Sequence, residues 1–190
     1  MAAAKSLTPQ ELERVLNYAA QHSYAERNQL MLLVSVLAGL RVSEIAGLTI
    51  GDVRDTDGTI RTEVYLAAHR VKLSHARTVF INSRLQQLIA DYVAQRTWHT
   101  EDQPLFSTIR GVRHGFSANT LAQHFHYLYK RAGVRGASSH SGRKTFLTSL
   151  ASQGVSVFVL AALAGHKCIA TTQKYITVND DTKRRAVELV

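Results

Sequence analysis

Ser139-His140-Ser141-Gly142-Arg143-Lys144 places a histidine and an arginine three residues apart where a helix begins, so both share one face of its first turn. The start of a helix also turns N–H groups and the positive end of its dipole toward any anion held there. The surrounding sequence makes the same demand over a longer range. From Gln103 to Asn179 there is no aspartate or glutamate, yet the stretch holds nine cations: Arg110, Arg113, Lys130, Arg131, Arg135, Arg143, Lys144, Lys167 and Lys174. The other 14 Lys and Arg match the 14 Asp and Glu, so the net charge of +9 resides in this block. A surface without acids suits a polyanion, because a carboxylate repels phosphate while a cation displaces a condensed counterion. Downstream, Ala164-Gly165-His166 sets a histidine after a helix-ending glycine. Tyr175 follows in a polar, threonine-rich segment (Thr171-Thr172-Gln173-Lys174), a poor setting for a core tyrosine.

The chain is long enough, at 190 residues, to bury a substantial core, and its 45% hydrophobic and 19% charged residues are ordinary for one globular domain. One cysteine, Cys168, excludes an internal disulfide. Met1 to Ser6 lacks the apolar core of a signal peptide, and the apolar run from Leu30 to Leu40 is too short to span a bilayer. These features imply a cytoplasmic protein without a membrane partner; a bacterial or phage origin is a separate expectation.

Periodicity predicts a mostly helical chain with one small antiparallel sheet, an α+β fold. Thr8-Pro9-Gln10-Glu11 reads as a capping box, followed by the stripe Leu12, Val15, Leu16 and Ala19. A buried helix is expected from Ala25 to Ala38, ended by Gly39, with Arg41 in the turn before a short helix at Ser43-Glu44. Strands are expected at Arg61 to Ala67 and Arg77 to Ile81, after a turn at Asp55-Thr56-Asp57-Gly58. Further helices are expected from Ser83, then over Ser117–Arg131, Ser141–Gln153, Ser156–Ala164 and Asp180–Glu188, with Pro104 and Gly111 punctuating a loop. Tyr92, Tyr127 and Tyr129 read as half-buried packing residues.

Transfer of a phosphodiester to a side chain needs a nucleophile, a proton for the leaving oxygen, and donors for the charge that grows in the transition state. Two-metal nucleases hold their ions with carboxylates, which this block lacks. Guanidinium and imidazole groups are the substitute it offers, since arginine forks grip two phosphate oxygens and stay charged. Singly, each residue has an ordinary explanation as surface charge or packing. Their order is less ordinary.

Together they resemble the catalytic domain of the tyrosine recombinase (phage integrase) family. Gly39-Leu40-Arg41-Val42-Ser43-Glu44-Ile45-Ala46-Gly47-Leu48 fits the segment that carries the family's first arginine. Lys72 and Arg77 match its hairpin lysine and the arginine five residues on. His140 and Arg143 match its His-x-x-Arg box, Ala164-Gly165-His166 its Leu-Gly-His box with the first residue changed, and Thr172 with Tyr175 its Thr-x-x-Tyr. The resemblance implies site-specific DNA recombination, with Tyr175 forming a 3′-phosphotyrosyl bond. It implies that Arg41, Arg143 and His166 hold the non-bridging oxygens, Lys72 protonates the leaving 5′-oxygen, and His140 assists removal of the Tyr175 proton. Glu44 would orient Arg41 or cap its helix. No cofactor and no metal are expected. Arg77, Arg110, Arg113, Lys130, Arg131, Arg135, Lys144, Lys167 and Lys174 are the expected further DNA contacts.

The expected partners are double-stranded DNA, further copies of the chain in a tetrameric synapse, and accessory DNA-bending proteins. Residues 1–190 read as one catalytic domain without the helical DNA-clamping domain that family members often carry. The tail from about residue 178 to 190 is expected to dock on a neighbouring protomer. A type IB topoisomerase-like relaxation activity, or a non-cleaving DNA-binding regulator with the same fold, are the alternatives.

Overall fold

The computed structural model describes residues 4–67, 76–97, 100–176 and 180–188. Helix α1 (Pro9–Ala20) starts as the sequence predicts: Glu11 N–H donates to Thr8 Oγ1 at 3.2 Å and Thr8 N–H to Glu11 Oε2 at 3.1 Å. Helix α2 (Ala25–Ala38) is apolar on nearly every side and runs through the core, buried from Leu30 to Val36 and at Ala38. Short helices α3 (Val42–Gly47) and α4 (Ile50–Val53) follow. Strands β1 (Glu63–Leu66) and β2 (Arg77–Phe80) pair antiparallel, with Glu63 opposite Phe80 and Leu66 opposite Arg77. Then come α5 (Ser83–Ala94), β3 (Ser107–Thr108), β4 (Gly111–Gly115) and α6 (Ala118–Arg131). The last elements are α7 (Ser141–Ser152), α8 (Val157–Ala164), α9 (Ile169–Gln173) and α10 (Asp180–Val187).

Two apolar clusters organise these elements. The main one gathers α1, α2, α5 and α6 around Met31, Leu32, Leu85, Ile89, Leu121 and Phe125. A smaller one joins α7, α8 and α9 through Leu147, Leu160 and Ala164, with Phe146, Tyr175 and Ile176 packed against it. Each fully buried Leu contributes about 1.5–3 kcal/mol, so the small cluster alone holds its helices weakly. Helix α7 crosses α2 closely: a Cβ on Gly142 would lie 2.4 Å from Ser35 Oγ, and only glycine fits there.

The fold departs from the sequence reading in four places. A second antiparallel pair, β3–β4, occupies the expected loop; Gly111, at φ 119°, makes its turn. Its strands are too short to show alternation. Helices α4 and α9 span four and five residues, below the length at which helical periodicity registers. Tyr92 and Tyr129 are buried, but Tyr127 is 54% exposed rather than packed. Among the described residues no helix is long and apolar enough to cross a membrane.

Candidate active site

Two glycines shape the site. Gly39 ends α2 and Gly165 ends α8, both in the left-handed region at φ 65° and 60°, where side chains are disfavoured. A Cβ on Gly39 would lie 2.4 Å from the Phe146 ring, and one on Gly165 2.6 Å from Arg77 Cδ. The carbonyls left over at a helix end carry its negative pole, and here they face guanidinium groups.

Arg143 is 5% exposed and donates from Nη1 to Gly39 O at 2.7 Å and from Nη2 to Ala164 O at 2.5 Å. One residue therefore ties the ends of two helices together. Arg41 donates from Nη2 to Ala164 O at 3.2 Å and Gly165 O at 3.4 Å, and from Nη1 to Glu44 Oε1 at 2.8 Å. Glu44 also accepts the Arg41 backbone N–H at 2.6 Å, so it both caps α3 and orients the arginine, as its place in the sequence suggests. Its other partner is Arg77, which donates from Nη2 to Glu44 Oε2 at 2.8 Å and from Nη1 to Leu163 O at 2.5 Å. Arg77 is thus turned inward, its side chain 7% exposed, where the sequence reading has it contacting DNA. The reason is the buried Glu44 carboxylate, whose charge would stand uncompensated without its guanidinium partners.

His166 sits between this cage and the tyrosine. Its Nε2 lies 3.1 Å from Arg143 Nη2 and its Nδ1 2.8 Å from Thr172 Oγ1. Its ring stacks near Tyr175, with centroids 6.0 Å apart and planes 19° apart. Tyr175 is half-buried against the small cluster, so it is less solvated than its polar neighbours suggest. Its N–H donates to Thr172 O at 2.9 Å, closing the last turn of α9. His140, at the N-cap of α7, is exposed and borders the same space. Arg41, His140, Arg143, Lys144, His166, Lys174 and Tyr175 line one open cleft of about 530 Å³.

The charge in this cleft is unbalanced. Three guanidiniums share one carboxylate. Burial, then the neighbouring Arg41 and Arg77, push Arg143 down to about 10, still charged at neutral pH. Burial, then Arg143, Arg41 and Arg77, push His166 down to about 4, so its ring is neutral. Burial alone would raise the Glu44 carboxyl, but the hydrogen bonds and charges of Arg77 and Arg41 bring it below the ordinary carboxylate range. Such a site favours an anion with several acceptor oxygens. Among the described residues no three His, Cys, Asp or Glu come together as a metal-binding group.

The remaining expected contacts do not form one patch. Lys144 and Lys174 line the cleft, and Lys167 is exposed next to His166. Arg110 and Arg113 are exposed on the β3–β4 hairpin, which sits at the other end of α2, where Arg27 donates to Ser107 O. A 14-residue helix separates the two ends by roughly 20 Å. Lys130, Arg131 and Arg135 are exposed at the end of α6 and just beyond it. Lys72 lies outside the described residues.

The phage integrase family profile matches residues 5–182. The chain belongs to the phage integrase family. Tyrosine recombinase XerC of Pelobacter propionicus is 31% identical over 163 residues, covering 85% of this chain and 51% of the relative. Tyrosine recombinase XerA of Pyrococcus furiosus is 28% identical over 186 residues, covering 97% and 61%. The chain thus spans about half to three-fifths of the length of these integrase-family relatives. The crystal structure of XerA recombinase is similar with a TM-score of 0.75 at 25% identity, over 100% of this chain and 63% of that one. The catalytic domain of bacteriophage HP1 integrase shares the fold with a TM-score of 0.67 at 19% identity, over 98% and 95%. So does Tn1549 transposon integrase, solved in complex with a circular intermediate DNA, with a TM-score of 0.78 at 19% identity over 100% and 67%.

The sequence alone left two contributions unseen. The helix-end carbonyls that hold Arg41 and Arg143 have no side-chain signature. The contact from Thr172 to His166 was hidden because a threonine six residues past a histidine carries no spacing signal of its own.

Proposed function

We propose that this chain is the catalytic domain of a site-specific DNA recombinase that cleaves and rejoins double-stranded DNA through a 3′-phosphotyrosyl intermediate. The observation that carries this reading is the meeting of Arg41, Arg143, His166 and Tyr175, from four different elements, in one cation-rich cleft. The Tyr175 oxygen attacks the phosphorus, the bond to the 5′-oxygen breaks, and the freed strand leaves as a 5′-hydroxyl. The phenol proton passes to His140, and Lys72 supplies the proton that the leaving oxygen needs. Arg41 and Arg143 bind the non-bridging oxygens, where a transition state with two negative charges meets the two cations that Glu44 leaves unbalanced. His166, neutral and accepting from Arg143, keeps that guanidinium in line with the non-bridging oxygens.

Because the bond energy is conserved in the phosphotyrosine, a 5′-hydroxyl of a partner strand reverses the step without ATP. Reciprocal exchange needs several active sites on one synapse, so the working form in this reading is a homotetramer on DNA, assisted by DNA-bending proteins. The tail from about residue 178 docks on a neighbouring protomer. Arg110, Arg113, Lys130, Arg131, Arg135, Lys144, Lys167 and Lys174 grip the DNA backbone. The protein acts in the cytoplasm.

Incubation with nicked suicide DNA carrying the attachment site tests the chemistry. A covalent protein–DNA complex is expected, and Tyr175→Phe should abolish it. A complex that persists in Tyr175→Phe assigns the nucleophile elsewhere.

A further inference from the structure

We propose that Thr172 is a positioning residue that fixes the tautomer of His166 and so couples the segment carrying the nucleophile, just past α9, to the arginine cage. The inference rests on the reading of this cleft as the catalytic one. A guanidinium nitrogen has no lone pair to offer, so in the 3.1 Å contact between Arg143 Nη2 and His166 Nε2 the arginine donates and Nε2 accepts. The ring is neutral, hence its single proton resides on Nδ1. That N–H donates to Thr172 Oγ1 at 2.8 Å. A second N–H can approach Nε2 only while its lone pair faces the cage, and the threonine hydroxyl is what holds the ring that way round.

Thr172 is suited to the task by its burial and by its place in the chain. It is 0% exposed, so water does not compete for the imidazole. It lies on α9 one turn before Tyr175, whose N–H its own carbonyl accepts. The side chain thus touches the cage while the main chain carries the nucleophile. A movement of α9 that displaces Tyr175 also displaces the hydroxyl, releases His166 to flip, and puts an N–H against the Arg143 fork. The groups facing His166 are Arg143, Arg41, Arg77 and the Tyr175 ring. None of them accepts from Nδ1 in place of Thr172.

Nitrogen-15 NMR of the histidine-labelled full chain, with His166 assigned by loss of its signals in His166→Gln, tests the proposal without DNA. At neutral pH the wild type should show a protonated Nδ1 and an unprotonated Nε2; the opposite tautomer overturns the proposal without any variant. Thr172→Val keeps the shape and the main-chain bond but removes the acceptor, and should mix or invert the two nitrogen signals, while Thr172→Ser should restore them. Covalent capture on nicked DNA should fall roughly 10- to 100-fold in Thr172→Val, by analogy with the loss of partners that orient metal-bound imidazoles, and stay within about threefold of wild type in Thr172→Ser. An unchanged tautomer, or unchanged capture, in folded Thr172→Val overturns it. Should the wild type fail to capture DNA, the recombinase reading falls, while the NMR result still decides the role of Thr172.

Discussion

The two ends of α2 each bury an arginine beside a cavity, and they differ in how its charge is met. At the N-terminal end Arg27, 7% exposed, donates to Ser107 O at 2.7 Å and to Asn28 Oδ1 from Nε and Nη2. The Tyr24 ring lies 4.3 Å from its guanidinium carbon and the Phe116 ring 5.2 Å. Tyr24 holds a left-handed φ of 61°, rare for a side chain of this size, and its ring still covers the arginine. The cavity there, about 560 Å³, is as large as the cleft of about 530 Å³ at the other end. At the C-terminal end Arg143 meets two carbonyls, a neutral histidine and two more arginines, with Glu44 the carboxylate they share. Burial and volume therefore do not mark a site. Aromatic faces and fixed acceptors satisfy Arg27, which joins β3 to α2; the cage keeps an excess of positive charge and an open mouth.

If Glu44 is what allows three guanidiniums to crowd together, its removal should produce the largest change. Glu44→Gln should lower stability by about 3 kcal/mol, because breaking a buried pair leaves charge uncompensated, and should also depress DNA capture. A urea titration that shows less than about 1 kcal/mol of loss would mean that the helix-end carbonyls suffice. A smaller effect should appear with pH. His124, whose Nε2 donates to Asn28 Oδ1 at 3.1 Å, is pushed down to about 4 by burial and then by Arg27 and Arg131, as His166 is by its own neighbours. Both folded values lie below the ordinary 6.5, so the unfolded chain takes up these protons first. Stability from the two neutral rings is complete above about pH 6.5 and falls down to about pH 4, by at most ~1.4 kcal/mol per pH unit for His124 and by less for His166, which solvent screens in the open cleft. Glu44, with its lowered value, adds its own loss only below its ordinary 4.5. His124→Gln should flatten the slope between pH 4.5 and 6.5 without touching the cleft; an unaltered slope would show that the N-terminal network does not hold its histidine neutral.

The same contrast explains what the sequence made legible. Thr8 with Glu11, the run Ala25–Ala38 and the glycines at 39 and 165 are local signals, and the structure has those elements at those residues. Arg41, His140, Arg143, His166 and Tyr175 were legible as a set through their order, and they share the cleft. Arg77 was misread because its fate depends on Glu44, 33 residues earlier, and no local pattern records that pairing. The β3–β4 hairpin was hidden for a similar reason: strands this short are held by Arg27, which donates to Ser107 O from outside, rather than by their own alternation. The polar neighbours of Tyr175 read as a poor setting for a core tyrosine, yet it packs partly buried against the cluster of Leu147, Leu160 and Ala164.

The central claim is that the cage end of α2 acts on a phosphate while the opposite end only holds the fold. Arg143→Lys and Arg27→Lys, compared for covalent DNA capture per folded molecule and for stability, test it most directly. Arg143→Lys keeps a charge but loses the fork, and capture should fall by about 100- to 1000-fold, as for loss of one transition-state donor. Arg27→Lys should lose about 2 kcal/mol of stability through its charged hydrogen bonds, with capture by the folded fraction unchanged. Capture that survives in Arg143→Lys but collapses in folded Arg27→Lys would contradict the account.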